Sequence, residues 1–171
     1  LEYARDLGAS GLLLGPIFES ATHGYDTLDH MHIDVRLGGD AAFDRLITAC
    51  RDMGLQVILD GVFNHVSRNH PAVQTSLDEA AGRLDPADNP WHGLVRTHVG
   101  DNGEPTLDVF EGHDDLVALD HSSDKTVDYV ARVMNYWLDR GAAGWRLDAA
   151  YAVPSAFWAR VLPQVKPTHP D

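Results

Sequence analysis

The chain has 171 residues, room for one domain with a sizeable core, and carries 13 Lys and Arg against 26 Asp and Glu, a formal net charge of −13. That charge argues against nucleic acid as a partner, and no apolar run approaches the length of a membrane span. Cys50 is the only cysteine, which excludes an internal disulfide and permits a cytoplasmic setting without requiring one.

In chain order, Glu2 to Leu7 reads as a helix closed by Gly8. The chain opens on Leu1, immediately before that helix, and no signal peptide is visible, so a longer natural N-terminus is expected. Gly11 to Leu14 follows as a buried strand ended by Gly15-Pro16, and then a polar loop runs to Gly39. Asp40 is expected to cap a helix whose apolar stripe is Phe43, Leu46, Ile47, Cys50 and Met53. Cys50 on that stripe reads as core. Gly54 ends the helix and Leu55 to Leu59 forms the next strand. From Asp60 to about Ser122 the chain reads as irregular, too long for a simple connection. Residues 66–122 are therefore expected to form a lid or a small inserted domain within a unit covering 1–171. Ser123 caps a helix with Val127, Val130, Ala131, Met134, Trp137 and Leu138 on one face. Gly141 ends it, Ala143 to Leu147 is a third strand, and Pro154 opens a last helix, Ser155 to Leu162.

Alternation of this kind implies an α/β fold with a parallel sheet and helices outside it. An open doubly wound sheet and a (β/α)8 barrel compete. The chain has neither a G-x-G-x-x-G loop nor a P-loop lysine. It does have chemistry-bearing residues after successive strands, which suits the barrel. Asp60-Gly61-Val62-Phe63-Asn64-His65 follows the second predicted strand, and Gly144-Trp145-Arg146-Leu147-Asp148 closes the third. Arg146 and Asp148 are two apart, so on a strand they share a face, with Trp145 and Leu147 on the other. An arginine beside a carboxylate favours its ionised form, and an ionised, oriented Asp is a competent nucleophile.

These segments resemble the α-amylase family of glycoside hydrolases. Asp60 to His65 matches the D-x-V-x-N-H motif after the family's third barrel strand, and Gly144 to Asp148 matches G-x-R-x-D after its fourth. Gly24-Tyr25-Asp26 with Ile33-Asp34-x-x-Leu37-Gly38 matches the loop after the second strand, and Leu119-Asp120-His121 resembles a further short motif. The pattern is most similar to cyclomaltodextrinase-like and neopullulanase-like members. The resemblance implies a partial (β/α)8 barrel, about strands 2–4 with their helices. It implies a retaining glycosidase acting on α-1,4-glucosidic bonds of malto-oligosaccharides, cyclodextrins or starch. Asp148 would be the nucleophile, and Arg146 would hold it. His65 would hydrogen-bond the sugar, Tyr25 would stack beneath it, and Asp60 would be structural, pairing near Arg146. Asn64 would be a calcium-ligand candidate, although calcium needs about six to eight oxygens. No other cofactor is implied.

Each role has a structural rival. Asp148 with Arg146 could form a structural ion pair, His65 could be a hydrogen-bonded core histidine, and Tyr25 could pack its loop. Asp34 reads as a brace for its own turn. Trp91 and His92 are candidates for lining a sugar subsite. Two other functional classes compete: a non-catalytic binding or scaffold module, and a metal-dependent barrel hydrolase using His30 and His32.

The chain departs from the family pattern in two ways. Many α-amylases carry Lys-His at the third and fourth positions after the nucleophile, where Tyr151 and Ala152 stand here, which suits small or cyclic oligosaccharides better than starch liquefaction. The family's acid/base Glu and a later His-Asp pair follow strands beyond those present, and Glu79, Glu104 and Glu111 match no family position. General acid/base help is worth roughly 10²–10⁴-fold. The 171-residue chain alone is therefore expected to be inactive and prone to associate. Assay of the purified chain on maltoheptaose checks this, and measurable hydrolysis would overturn it.

Overall fold

The computed structural model describes residues 1–167 and 169. Its scaffold is a parallel sheet of β1 (Gly11–Leu13), β4 (Gln56–Gly61) and β10 (Gly144–Leu147), in the order β1-β4-β10. Neighbours in space are also successive in the chain, and the helices α2 (Gly39–Asp52) and α4 (Asp124–Asp139) make the crossovers. Right-handed crossovers in an order that never reverses put every helix on the same face. That is a stretch of barrel wall; a doubly wound sheet would carry helices on both faces.

The register divides the side chains. Leu12 pairs with Val57, and Trp145 with Leu59, on the helix-covered face. Leu13 pairs with Ile58, and Arg146 with Asp60, on the other. Val57 and Leu59 are buried with Phe43, Trp137 and Phe157 in one core, whereas Leu13 is 60% exposed. Gly61 lies on the covered face because it has no side chain. A Cβ there would lie 2.5 Å from Phe63 Cε2 and 3.1 Å from Trp145 Cε3.

Helices α1 (Glu2–Asp6) and α5 (Ser155–Val165) flank this unit in the chain. Ser123 caps α4 as expected, accepting from the Lys125 N–H, and Cys50 is buried in the core. Asp40 is not the cap of α2. Gly38 occupies that position at φ 102°, and the Asp40 carboxylate instead accepts from the Ile33 N–H at 2.8 Å, tying the helix to the preceding strand. The last helix runs three residues past Leu162, through Pro163. No described helix is long and apolar enough to cross a membrane.

Two stretches expected to be irregular are folded. The loop to Gly39 contains an antiparallel hairpin of β2 (Phe18–Ser20) and β3 (Thr27–Ile33), which buries Phe18 between Trp137 and Trp145. The stretch after Asp60 holds β5 (His65–Ser67), α3 (Pro71–Ala80), β6 (Thr97–Val99), β7 (Pro105–Leu107), β8 (Val109–Phe110) and β9 (His113–Ala118). Of their two small antiparallel sheets, β5-β9-β8 joins the hydrophobic core of the barrel wall through Val66 and Val117, with Leu119 just beyond β9, and β6-β7 packs Leu107 against it.

Buried histidines join these layers. His30 donates from Nε2 to the Val62 carbonyl at 3.0 Å and accepts at Nδ1 from the Tyr129 hydroxyl at 3.0 Å. His70 caps α3, accepting at Nδ1 from the Ala72 N–H at 3.1 Å. Burial pushes both imidazoles from about 6.5 down to about 4. Between those values the unfolded chain binds more protons than the folded one. Stability present above pH 6.5 is therefore lost as pH falls toward 4, by on the order of 3 kcal/mol per histidine. Urea unfolding at intervals from pH 7 to pH 4.5 checks this. The midpoint is expected to fall steadily with acid, and a flat profile would show that these rings are not held neutral by the fold.

Candidate active site

The Arg146-Asp60 register places two carboxylates around one guanidinium. Arg146 Nη1 donates to Asp60 Oδ1 and Oδ2 at 2.8 and 2.9 Å, and to Asp148 Oδ1 at 2.7 Å. The Asp148 N–H donates to the Gly61 carbonyl at 3.0 Å, so the backbone just beyond β10 is still paired to β4 where the acid stands. The side chains of Asp60, Asp148 and Arg146 are 5%, 17% and 44% exposed. Asp60 is thus the anchor inside the wall, and Asp148 is the carboxylate within reach of a ligand. Burial pushes the Asp60 carboxyl above its ordinary value, a push that Arg146 opposes and the nearby Asp148 charge reinforces. The two carboxylates in turn raise the Arg146 pKa.

His65 begins β5 immediately after the β4 loop. The Asn64 amide donates to His65 Nδ1 at 3.0 Å, which leaves the ring proton on Nε2. That buried Nε2 has no hydrogen-bond partner among the described residues. Burial lowers the His65 pKa, against the pull of Asp148, so the ring is held neutral. Phe110 stacks on it at 4.8 Å and 22°. The Tyr25 backbone lies near the same ring, outside hydrogen-bond geometry. Tyr25 itself is partly exposed on a loop whose tight turn needs Gly24. That residue has φ 97°, and a Cβ would meet Pro16 at 3.0 Å. Asp26 closes the loop by accepting from Thr22 Oγ1 at 2.6 Å and from the His23 N–H at 3.1 Å.

Asp148 and Arg146 open onto a hollow of about 390 Å³ also lined by Phe110 and Tyr151. The Tyr151 hydroxyl donates to Glu111 Oε1 at 2.8 Å, joining the insertion to the turn after Asp148. Sequence reasoning missed Phe110 and gave Glu111 no role. They stand 38 and 37 positions before Asp148, with no motif around them to mark them.

Several sequence expectations fall elsewhere. His30 and His32 do not converge on a metal: both nitrogens of His30 are engaged in the core, while exposed His32 pairs with Asp29. The Asn64 amide N–H donates to His65 and its backbone carbonyl accepts from the Leu119 N–H, so its side-chain Oδ1 is the atom a cation would take; no cluster of three or more His, Cys, Asp or Glu that could hold a metal exists among the described residues. Trp91 packs edge-on to His70 and Tyr129, His92 pairs with Glu79, and neither lines the Asp148 hollow. Asp34 braces its turn as expected, accepting from the Arg36 N–H at 2.8 Å, and the Arg36 guanidinium beside it holds its carboxyl far below the usual range.

A family model described as the α-amylase catalytic domain matches residues 1–168. The maltogenic α-amylase of Bacillus acidopullulyticus is 30% identical over 173 residues, which cover 100% of this chain and 29% of that protein. The cyclomaltodextrinase of Geobacillus thermopakistaniensis is 31% identical over 174 residues, with coverages of 100% and 29%. Among solved structures, the ligand-free cyclic α-maltosyl-(1→6)-maltose hydrolase of Arthrobacter globiformis superposes with a TM-score of 0.85 at 30% identity, covering 100% of this chain and 38% of that one. The chain therefore spans less than half the length of these relatives.

The guanidinium's role in the wall is measurable. Replacing Arg146 with Met leaves the buried Asp60 carboxylate without a counter-charge. Allowing for the exposure of Arg146, the expected loss is about 1–3 kcal/mol at pH 7, shrinking in acid as Asp60 becomes protonated. A double-mutant cycle with Asp60→Asn, followed by urea unfolding, reads the coupling directly. Additive losses would show that the pair does not hold the strands together.

Proposed function

Because the chain belongs to the α-amylase catalytic-domain family, whose members are glycosidases, we propose that it carries the nucleophile side of a retaining active site for α-glucosidic bonds. The single observation that supports this most is the shared Arg146 Nη1. It donates to both Asp148 and Asp60, and Asp60 is itself fixed in β4. Asp148 is thereby oriented at the C-terminal end of a barrel strand, where barrel enzymes place their chemistry.

Asp148 attacks the anomeric carbon of the bound sugar. The carbon–oxygen bond to the leaving sugar breaks as the bond to the Asp148 carboxylate forms, and water or another sugar later releases the glycosyl group. Arg146 keeps Asp148 charged and aimed throughout. The neutral His65 donates its unpartnered Nε2 proton to a sugar hydroxyl, fixing the ring in the site. Tyr25 supplies an aromatic face beneath the pyranose. The reaction also needs a proton donor about 5–5.5 Å from the nucleophile. We assign that role to a carboxylic acid outside residues 1–171, in keeping with the greater length of the relatives. The relatives' names support α-1,4-linked oligosaccharides and cyclodextrins as the substrate class, and Tyr151 on the rim suits short acceptors.

Labelling tests this reading. The intact protein, incubated with an activated fluoro-glycoside of α configuration, is expected to gain one glycosyl mass located on the Asp148 peptide, and Asp148→Asn should abolish it. Label on another carboxylate, or none with the wild-type protein, would overturn the assignment.

A further inference from the structure

A hollow of about 670 Å³ lies away from Asp148, between the inserted segment and the outward face of α4. Its lining shares no residue with the catalytic hollow, and its size falls within the roughly 300–1,000 Å³ of ligand pockets. We propose that this groove is a second carbohydrate-binding site, which holds a stretch of α-glucan chain without cleaving it. The choice of ligand rests on the glycosidase reading above; the existence of the site rests on its own geometry.

The aromatic wall is Trp91, held in place from several directions. Asn89 Oδ1 accepts from the Trp91 backbone N–H at 2.9 Å, and Asn89 Nδ2 donates to Glu79 Oε2 at 2.7 Å. Glu79 Oε1 accepts from the next residue, His92, at 2.7 Å. One carboxylate from α3 therefore holds the side chains of Asn89 and His92, on either side of Trp91 in the chain. Thr126 of α4 donates to the Gly93 carbonyl at 3.0 Å and closes the clamp from the other side. Fixing an aromatic ring in advance reduces the ordering cost of binding. The indole N–H of Trp91 has no hydrogen-bond partner among the described residues, and Tyr129 forms the floor.

The polar complement comes from α4. Lys125, Asp128 and Arg132 are spaced to share one helix face, and all three line the groove. Their side chains are exposed and form no ion pair among the described residues. Arg132 only lies over the Tyr129 ring, at 5.5 Å. The groove thus offers free donors and a free carboxylate acceptor beside a flat apolar wall. Sugar hydroxyls both donate and accept, and a pyranose has an apolar face, so a polyol ring satisfies every group present. A purely anionic ligand would leave Asp128 opposed.

Retardation of the intact protein in native gels containing amylopectin tests the proposal, alongside turnover of maltotriose. The paired change Asp128→Ala with Arg132→Ala removes exposed side chains only, so folding is preserved, and Trp91→Phe keeps the packing against His70 and Tyr129. The paired variant is expected to weaken retardation by about tenfold, with maltotriose turnover unchanged. Trp91→Phe should weaken it less, and Asp148→Asn should remain fully retarded. Undiminished retardation of the paired variant would overturn the proposal. So would a wild-type protein that amylopectin does not retard, or one retarded more strongly by a sulfated polysaccharide. Loss of the glycosidase reading would look different: no maltotriose cleavage by the wild-type protein, whatever the gels show.

Discussion

The parallel pairing of β10 with β4 is the constraint on which the site depends. It sets Arg146 opposite Asp60, and with Asp148 two residues further along it lets one guanidinium nitrogen serve both carboxylates. A slip of one residue would turn Arg146 and Asp148 into the apolar layer and bring Trp145 and Leu147 out of it. The hydrophobic face therefore enforces the polar one. Trp145 packs on Phe18 and Phe63, and the missing side chain of Gly61 leaves room for both Trp145 and Phe63.

The two carboxylates differ because their surroundings differ. Asp60 is enclosed, and Arg146 offsets only part of the desolvation it suffers; it functions as a fixed counter-charge. Asp148 stands at the mouth of a hollow and is held from below. His65 is locked in one tautomer by Asn64 and stacked by Phe110, which also lines the Asp148 hollow, and its buried Nε2 proton is unpartnered among the described residues. The polar groups are positioned before any ligand arrives, so little reorganisation remains for binding to impose.

The inserted segment has two jobs in this arrangement. Through Val66, Val117 and Leu119 it adds to the core, and through Phe110, with Glu111 bonded to Tyr151, it shapes one side of the Asp148 hollow. The same segment, clamped by Glu79 and Thr126, raises Trp91 beside α4. On the two proposals above, the insertion touches a glucan at two places, and multivalent contact of that kind strengthens attachment without a new contact at the cleaved bond.

Local pattern determined much of this protein. The 3.6-residue stripes of α2 and α4 and the short apolar runs of β1, β4 and β10 are written in neighbouring residues, and Gly8, Gly54, Gly141 and Ser123 punctuate them. The spacing of Arg146 and Asp148 already put them on one face, and the motifs around Asp60 and His65 were visible for the same reason. Tertiary structure alone decided the rest, because the deciding contacts join residues far apart in the chain. His65–Ser67 pairs with Leu116–Ala118, and Phe18 is buried by Trp137 and Trp145. Such strands are short and rich in polar residues, and no periodic signal distinguishes them from loops. The helix Pro71–Ala80 did carry a signal, a proline in its first turn with Val73 and Leu77 one turn apart, masked by the irregular sequence around it. Only the folded chain shows that Asp40 ties down Ile33 instead of capping its helix, and that the Asn64 amide sets the tautomer of His65. A side chain's partner is chosen by what the fold brings within about 3 Å, and sequence distance carries no record of that.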